Sequence, residues 1–256
     1  MNNREERART DRAVELRERP TGRSPVGYQS WRDLLFLHWE YPAAVIQATL
    51  PPGLQVDTFD GRAFLGLIPF FMRGVRPRGL PSVPGISNFQ ETNLRTYVVD
   101  RFGRPGVWFY SLDANQRLAV LLARTFFALP YFSAEMNSRR DDATGVIDYC
   151  TKRRNTGAAG SRFEYRAEQL IGTSEPGTLE FFLIERYLLF AYRERSKQLY
   201  SGRVHHAPYL LHSVDVGQSS DELIGLAGFA APGRAPVHQV TSRGVDVEIF
   251  GIEKVS

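Results

Sequence analysis

The chain has 256 residues, 43% of them apolar and 23% charged, so it can bury a hydrophobic core without covalent staples. Cys150 is its only cysteine, which excludes an intrachain disulfide and fits a reducing compartment. The net charge is +4, from 32 basic and 28 acidic residues interspersed along the chain, a balance that argues against nucleic acid as a partner.

No tract approaches about 18 consecutive apolar residues and the N-terminus lacks a hydrophobic signal core, so no membrane association is expected and the chain reads as cytoplasmic. Residues 1–28 read as a disordered charged tail or a frayed helix. Their first 24 positions hold seven arginines and five acids, with too little apolar surface to offset the entropy of ordering. The rest, 29–256, reads as one domain; the flexible composition of Asn155 to Gly160 leaves a second small lobe after residue 155 as the alternative.

From Trp31 the pattern predicts a strand carrying Leu35, Leu37 and Trp39, then a short helix opening at Pro42 and stopped by Pro51-Pro52-Gly53. Asp57 to Arg62 supplies a hairpin turn with Asp60-Gly61 at its tip, leading into an apolar strand from Ala63 to Phe70. Residues 72–90, rich in arginine, glycine and proline, are expected as an irregular crossing loop. Strands follow near 93–100 and 106–112, and helical spacing takes over from Gln116 to Phe127. Further strands are predicted at 145–153, 161–168, 179–192 and 244–254, and the 17 Phe and 11 Tyr favour extended structure. Mainly antiparallel β with flanking helices is the fold class.

The run Glu91-Thr92-Asn93-Leu94-Arg95-Thr96-Tyr97 carries the most informative chemistry. Side chains alternate along a strand, so Asn93, Arg95 and Tyr97 share one face, with Glu91 just before them. The planar fork of Arg95 suits a carboxylate or phosphate; its structural alternative is an internal ion pair with Glu91 or Glu185. Glu185 lies in the apolar stretch Leu179 to Tyr192, where burial would raise its pKa and fit it, like Glu91, for general acid or base work. His38 sits among apolar residues and reads first as a neutral, hydrogen-bonded imidazole. Tyr97, Tyr110 and Tyr131 offer phenolic donors that could serve a ligand or simply be satisfied internally.

Other chemistries lack their motifs. There is no Gly-x-Ser-x-Gly elbow, no Gly-x-Gly-x-x-Gly nucleotide turn and no phosphate loop ending in Gly-Lys-Ser/Thr. His205, His206 and His212 lack zinc-ligand spacing, so no metal and no cofactor are expected. The loop Arg73-Gly74-Val75-Arg76-Pro77-Arg78-Gly79 is a second place where an anion could meet arginines and backbone donors.

Several segments together resemble a known family: Pro51-Pro52-Gly53-Leu54, Asp57-Thr58-Phe59-Asp60-Gly61, Arg76-Pro77-Arg78-Gly79-Leu80-Pro81, Glu91 to Val98, Gly106 to Asp113, Ala123-Arg124, Leu129-Pro130-Tyr131-Phe132 and Glu185-Arg186-Tyr187. They are similar to the YqjF-like bacterial family, a domain of unknown function, over about residues 29–250. That family looks like a remote relative of acetoacetate decarboxylase, and the resemblance implies a β barrel with helices around it and a polar cavity inside. It adds Arg124 and Tyr131 to the candidate ligand-binding residues Asn93 and Tyr97, beside Glu91, Arg95 and Glu185 as candidate catalytic residues.

In the decarboxylase a lysine amine forms a Schiff base with a keto acid, assisted by glutamate and arginine. Tyr131 and Phe132 stand where the resemblance places the lysine pair, and the chain has only Lys152, Lys197 and Lys254. Two function classes therefore stay open: a protein binding a small anionic organic molecule, and a lyase or hydrolase acting on a small carboxylic acid through Glu, Arg and Tyr without a Schiff base. A structural or partner-binding role is the third, and a homodimer is left open.

Overall fold

The computed structural model describes residues 3–116, 128–157 and 160–255. The helix expected over 116–127, apart from Gln116 at its start, and the candidate Arg124 lie outside the described residues. Helix α1 (Asn3–Arg17) is followed by β1 (Gly27–Tyr41), α2 (Ala43–Gln47), β2 (Leu54–Val56), β3 (Ala63–Pro77), β4 (Phe89–Asp100) and β5 (Pro105–Ala114). Then come β6 (Tyr131–Arg140), β7 (Ile147–Arg153), β8 (Ser161–Gly172), α3 (Leu179–Ile184), β9 (Leu188–Arg193) and β10 (Gln198–His205). The last elements are β11 (Leu211–Gln218), α4 (Glu222–Leu226), β12 (His238–Ile249) and β13 (Glu253–Lys254).

All the strands belong to one sheet of 13 strands, ordered β13-β10-β9-β5-β6-β7-β8-β11-β12-β1-β3-β4-β2, with extra pairings β10–β12 and β5–β4. Pairing is antiparallel except where β5 meets β6 and β9. The sheet does not close into the barrel expected from the resemblance. In a closed barrel every strand has two neighbours, whereas β13 and β2 end this sheet and β5 has three. Strand length is the cause. One edge of β5 lies along β4, while its other edge is shared, Val107-Trp108 pairing with β9 and Leu112 to Ala114 with β6. Strand β12 divides its free edge in the same way between β11 and β10.

The charged N-terminal segment, expected as a disordered tail or a frayed helix, contains helix α1, which is tied down by an Arg9–Asp57 ion pair at 2.9 Å and buries Ala13. The strand expected over 179–192 divides into helix and strand. Thr178 caps the helix, its hydroxyl accepting from the Phe181 amide at 3.2 Å, and this local start signal overrides the β preference of the Phe-rich run. The crossing loop is also shorter than 72–90, because β3 continues to Pro77 and β4 starts at Phe89.

The turn before β3 forms as expected: Asp60 and Gly61 both have positive φ, 48° and 76°, between bridged Phe59 and Arg62. Two cores cover opposite faces of the long strands. Leu34, Phe36, Ile68, Phe70 and Leu112 pack on one side; Leu35, Leu37, Trp39, Leu65 and Leu67 pack with Ile46 of α2 and Ile224 of α4 on the other. Among the described residues no helix is long and apolar enough to cross a membrane.

Candidate functional site

The first core is incomplete, leaving a cavity of about 150 Å³. A β-bulge shapes its wall. Leu94 pairs with Ser111 but Arg95 with Phe109, so Tyr110 is the unmatched residue of β5. The extra residue shifts the alternation. Val107 and Phe109 before it and Leu112 after it all line the cavity, while Tyr110 packs on Phe229 in the other core. Strand β4 alternates without interruption, and Glu91, Asn93 and Arg95 line the cavity in succession.

Arg95 is half-buried. Its Nη2 donates to the Leu183 carbonyl at 3.0 Å, and its guanidinium lies over the rings of Phe36 and Tyr97. The alternative ion pairs with Glu91 and Glu185 do not form. Among the described residues no carboxylate pairs with Arg95, and its Nε and the side-chain oxygen of Asn93 are buried without a hydrogen-bond partner. Arg186, the other cation in the wall, donates from Nη1 to Asp57 at 2.8 Å and from Nε to the Phe182 carbonyl at 2.6 Å.

Glu91 is 2% exposed, and its Oε2 accepts from the Tyr131 hydroxyl at 2.8 Å. Burial, reinforced by the nearby charge of Asp113 and opposed by that hydrogen bond, raises its pKa to about 8, so it is largely a neutral acid at pH 7. Burial and the same glutamate raise the Tyr131 phenol well above its usual value. Cation, amide and carboxylic acid thus occupy alternate positions of one strand, with Tyr131 of β6 beside the acid.

Tyr97 is wholly buried beneath Arg95 and does not line the cavity. Its hydroxyl donates to the Leu183 carbonyl at 2.8 Å and lies 2.7 Å from His38 Nε2, while His38 Nδ1 lies 3.0 Å from His238 Nδ1. A carbonyl only accepts, which sets the direction of the whole column. The Tyr97 proton points to Leu183, His38 donates from Nε2, and His238 donates from Nδ1. His38, which must accept at Nδ1, is therefore neutral, and burial lowers the pKa of both imidazoles. Gly66 leaves room for the column, since a Cβ there would stand 3.0–3.1 Å from His38 and the Tyr97 hydroxyl. Gly66→Ala should cost about 1–3 kcal/mol of stability in urea unfolding; no loss would mean that the column yields freely.

Glu185 is not with Glu91. It ends helix α3, where Oε1 accepts from the Tyr209 amide at 3.1 Å and Oε2 takes a short hydrogen bond from the Tyr187 hydroxyl. It faces a smaller pocket under α1, beside Arg9 and Asp57. Sequence reasoning missed Arg186 as a wall residue and Tyr209 and Leu183 as site components; the lone visible signal was a charge inside the apolar run 179–192. Among the described residues no cluster of three or more His, Cys, Asp or Glu could hold a metal ion.

The fold is similar to that of acetoacetate decarboxylase-like proteins. An acetoacetate decarboxylase-like enzyme from Sphingomonas wittichii RW1 superposes with a TM-score of 0.64 at 17% identity, covering 93% of this chain and 98% of that one. The enduracididine biosynthesis enzyme MppR, complexed with pyruvate, gives 0.63 at 15% identity and 91% of both chains. Residues 28–246 match the model of the DUF2071 family, "Uncharacterized conserved protein", and the chain belongs to that family. The uncharacterized protein YqjF of Bacillus subtilis (strain 168) is 40% identical over 210 residues, 82% of this chain and 84% of YqjF.

Proposed function

We propose that this protein binds a small organic anion in the cavity, with Arg95 as the anchor. The observation that carries the reading is the cation itself: a guanidinium in an apolar wall, with no carboxylate partner among the described residues and a buried Nε without a hydrogen-bond partner, next to Asn93 in the lining. A desolvated cation without a counterion is costly, and an entering carboxylate supplies one. The pyruvate complex of the similarly folded MppR is a small carboxylate in keeping with this.

Calorimetry with butyrate and butyramide tests it. The acid should bind more tightly, and Arg95→Ala should remove roughly tenfold to a hundredfold of acid affinity while leaving the amide unchanged, as expected for one charge-assisted hydrogen bond. Equal binding of acid and amide by the wild-type protein would refute the reading.

The neutral Glu91, hydrogen-bonded to Tyr131, supports a second reading in which the bound acid is also a substrate. At neutral pH Glu91 can give a proton to a ligand atom held beside Arg95, which suits lyase or hydrolase chemistry on a small carboxylic acid. A Schiff base has no amine in this wall. Lys152, Lys197 and Lys254 are exposed, and none lines the cavity. Borohydride added during incubation with acetoacetate should therefore leave all three lysines unmodified by mass spectrometry. A reduced adduct at one of them that tracks turnover would overturn this expectation.

A further inference from the structure

We infer that the anion is a monocarboxylate with an apolar body of about six carbons, rather than a compact polar keto acid or a dicarboxylate. The inference rests on Arg95 as the anchor and adds what the rest of the cavity will accept. A volume of about 150 Å³ matches the cavities that hold a benzene ring, far more than a carboxylate alone would fill. Beyond Arg95 and Asn93 the wall is built largely from Phe36, Phe70, Leu112, Ile184, Val204 and Ile249. A ligand that stopped at the anchor would leave this surface unfilled, so affinity must come from apolar burial.

A second carboxylate has no place to go. Arg186 already gives Nη1 to Asp57 and Nε to the Phe182 carbonyl, and both oxygens of Asp57 are taken, one by Arg186 and one by Arg9. The remaining ionisable group at the far end of the β4 row is Glu91, which repels a carboxylate when ionised. As a neutral acid it can donate a hydrogen bond to an uncharged oxygen, so the far end of the ligand is apolar or carries a neutral acceptor.

Calorimetry on the full chain with acetate, butyrate, hexanoate, benzoate, decanoate and adipate tests this. From acetate to hexanoate the affinity should rise roughly fourfold for each added methylene. Benzoate should bind comparably to hexanoate, decanoate should fall off because it exceeds the volume, and adipate should bind at least tenfold more weakly than hexanoate. A flat series, or adipate equal to hexanoate, overturns the inference while acids still outbind their amides. If hexanoate binds no better than hexanamide, the anchor reading itself fails. As a check on location, Ile184→Phe, which reduces the volume without touching Arg95, should weaken hexanoate more than acetate; an equal effect on both would also count against the inference.

Discussion

Asp113→Ala should destabilise the protein by about 3–5 kcal/mol, the largest single-site loss expected outside the apolar core. Asp113 on β5 and Arg153 on β7 meet across the intervening strand β6, with two parallel hydrogen bonds of 2.8 and 2.7 Å. Both side chains are buried, and the guanidinium stacks on Phe132 at 4.0 Å. Removing the acid leaves an unpaired cation where water cannot reach it. The double replacement Asp113→Ala with Arg153→Met should recover much of the loss, because the pair's own net contribution is small once both charges are gone. Urea unfolding of the three proteins measures both effects; a single mutant within about 1 kcal/mol of wild type would show that solvent enters the pair.

The second large effect is a change in pH dependence at Glu91. Its folded-state pKa of about 8 lies above the unfolded value of about 4.3. The folded state therefore holds a proton that the unfolded state releases. The favourable contribution is complete below about pH 4.3 and is lost as the pH rises through about 8. Glu91→Gln keeps an oxygen for the Tyr131 hydroxyl and removes the titration. The variant should match wild type near pH 5 and exceed it by on the order of 2–4 kcal/mol at pH 8. Anion binding should follow the same group: wild-type affinity falls above pH 8 as Glu91 ionises beside the bound anion, and the variant's does not. Unfolding curves that run parallel from pH 5 to 9 would place the glutamate in contact with water.

The core of the site was legible because period-two alternation needs no knowledge of partners. Glu91, Asn93 and Arg95 share a face for that reason, and all three line the cavity. Tyr131 was visible only as one of several phenols until the family resemblance singled it out, since it starts a strand with no clear alternation of its own. Glu185 was chosen as a charge inside the apolar run 179–192, read there as one strand, and the run turns out to place it at a helix end instead. Strands β6, β10 and β11 escaped notice for a related cause: Ala134, Glu135 and Met136 are helix formers, and Gly202 and Gly217 interrupt the other two. They are strands because neighbours offer them hydrogen-bonding edges. The branching of the sheet was illegible altogether, because which stretch of a long strand meets which neighbour depends on register, and register is a property of pairs.

The unmatched Tyr110 makes the interior of this protein a matter of counting as well as of chemistry. Val107 and Phe109 sit at odd positions and Leu112 at an even one, and only the extra residue between them turns all three inward. Exchanging one apolar side chain for another along this stretch adjusts the shape of the wall. Losing Tyr110 itself would restore plain alternation with all three still on one face, whereas losing a residue elsewhere in the strand, such as Trp108, would turn Val107 outward. The cavity wall can therefore be retuned by substitution, and the bulge at Tyr110 is the one place where β5 can shorten by a residue without turning its lining side chains outward.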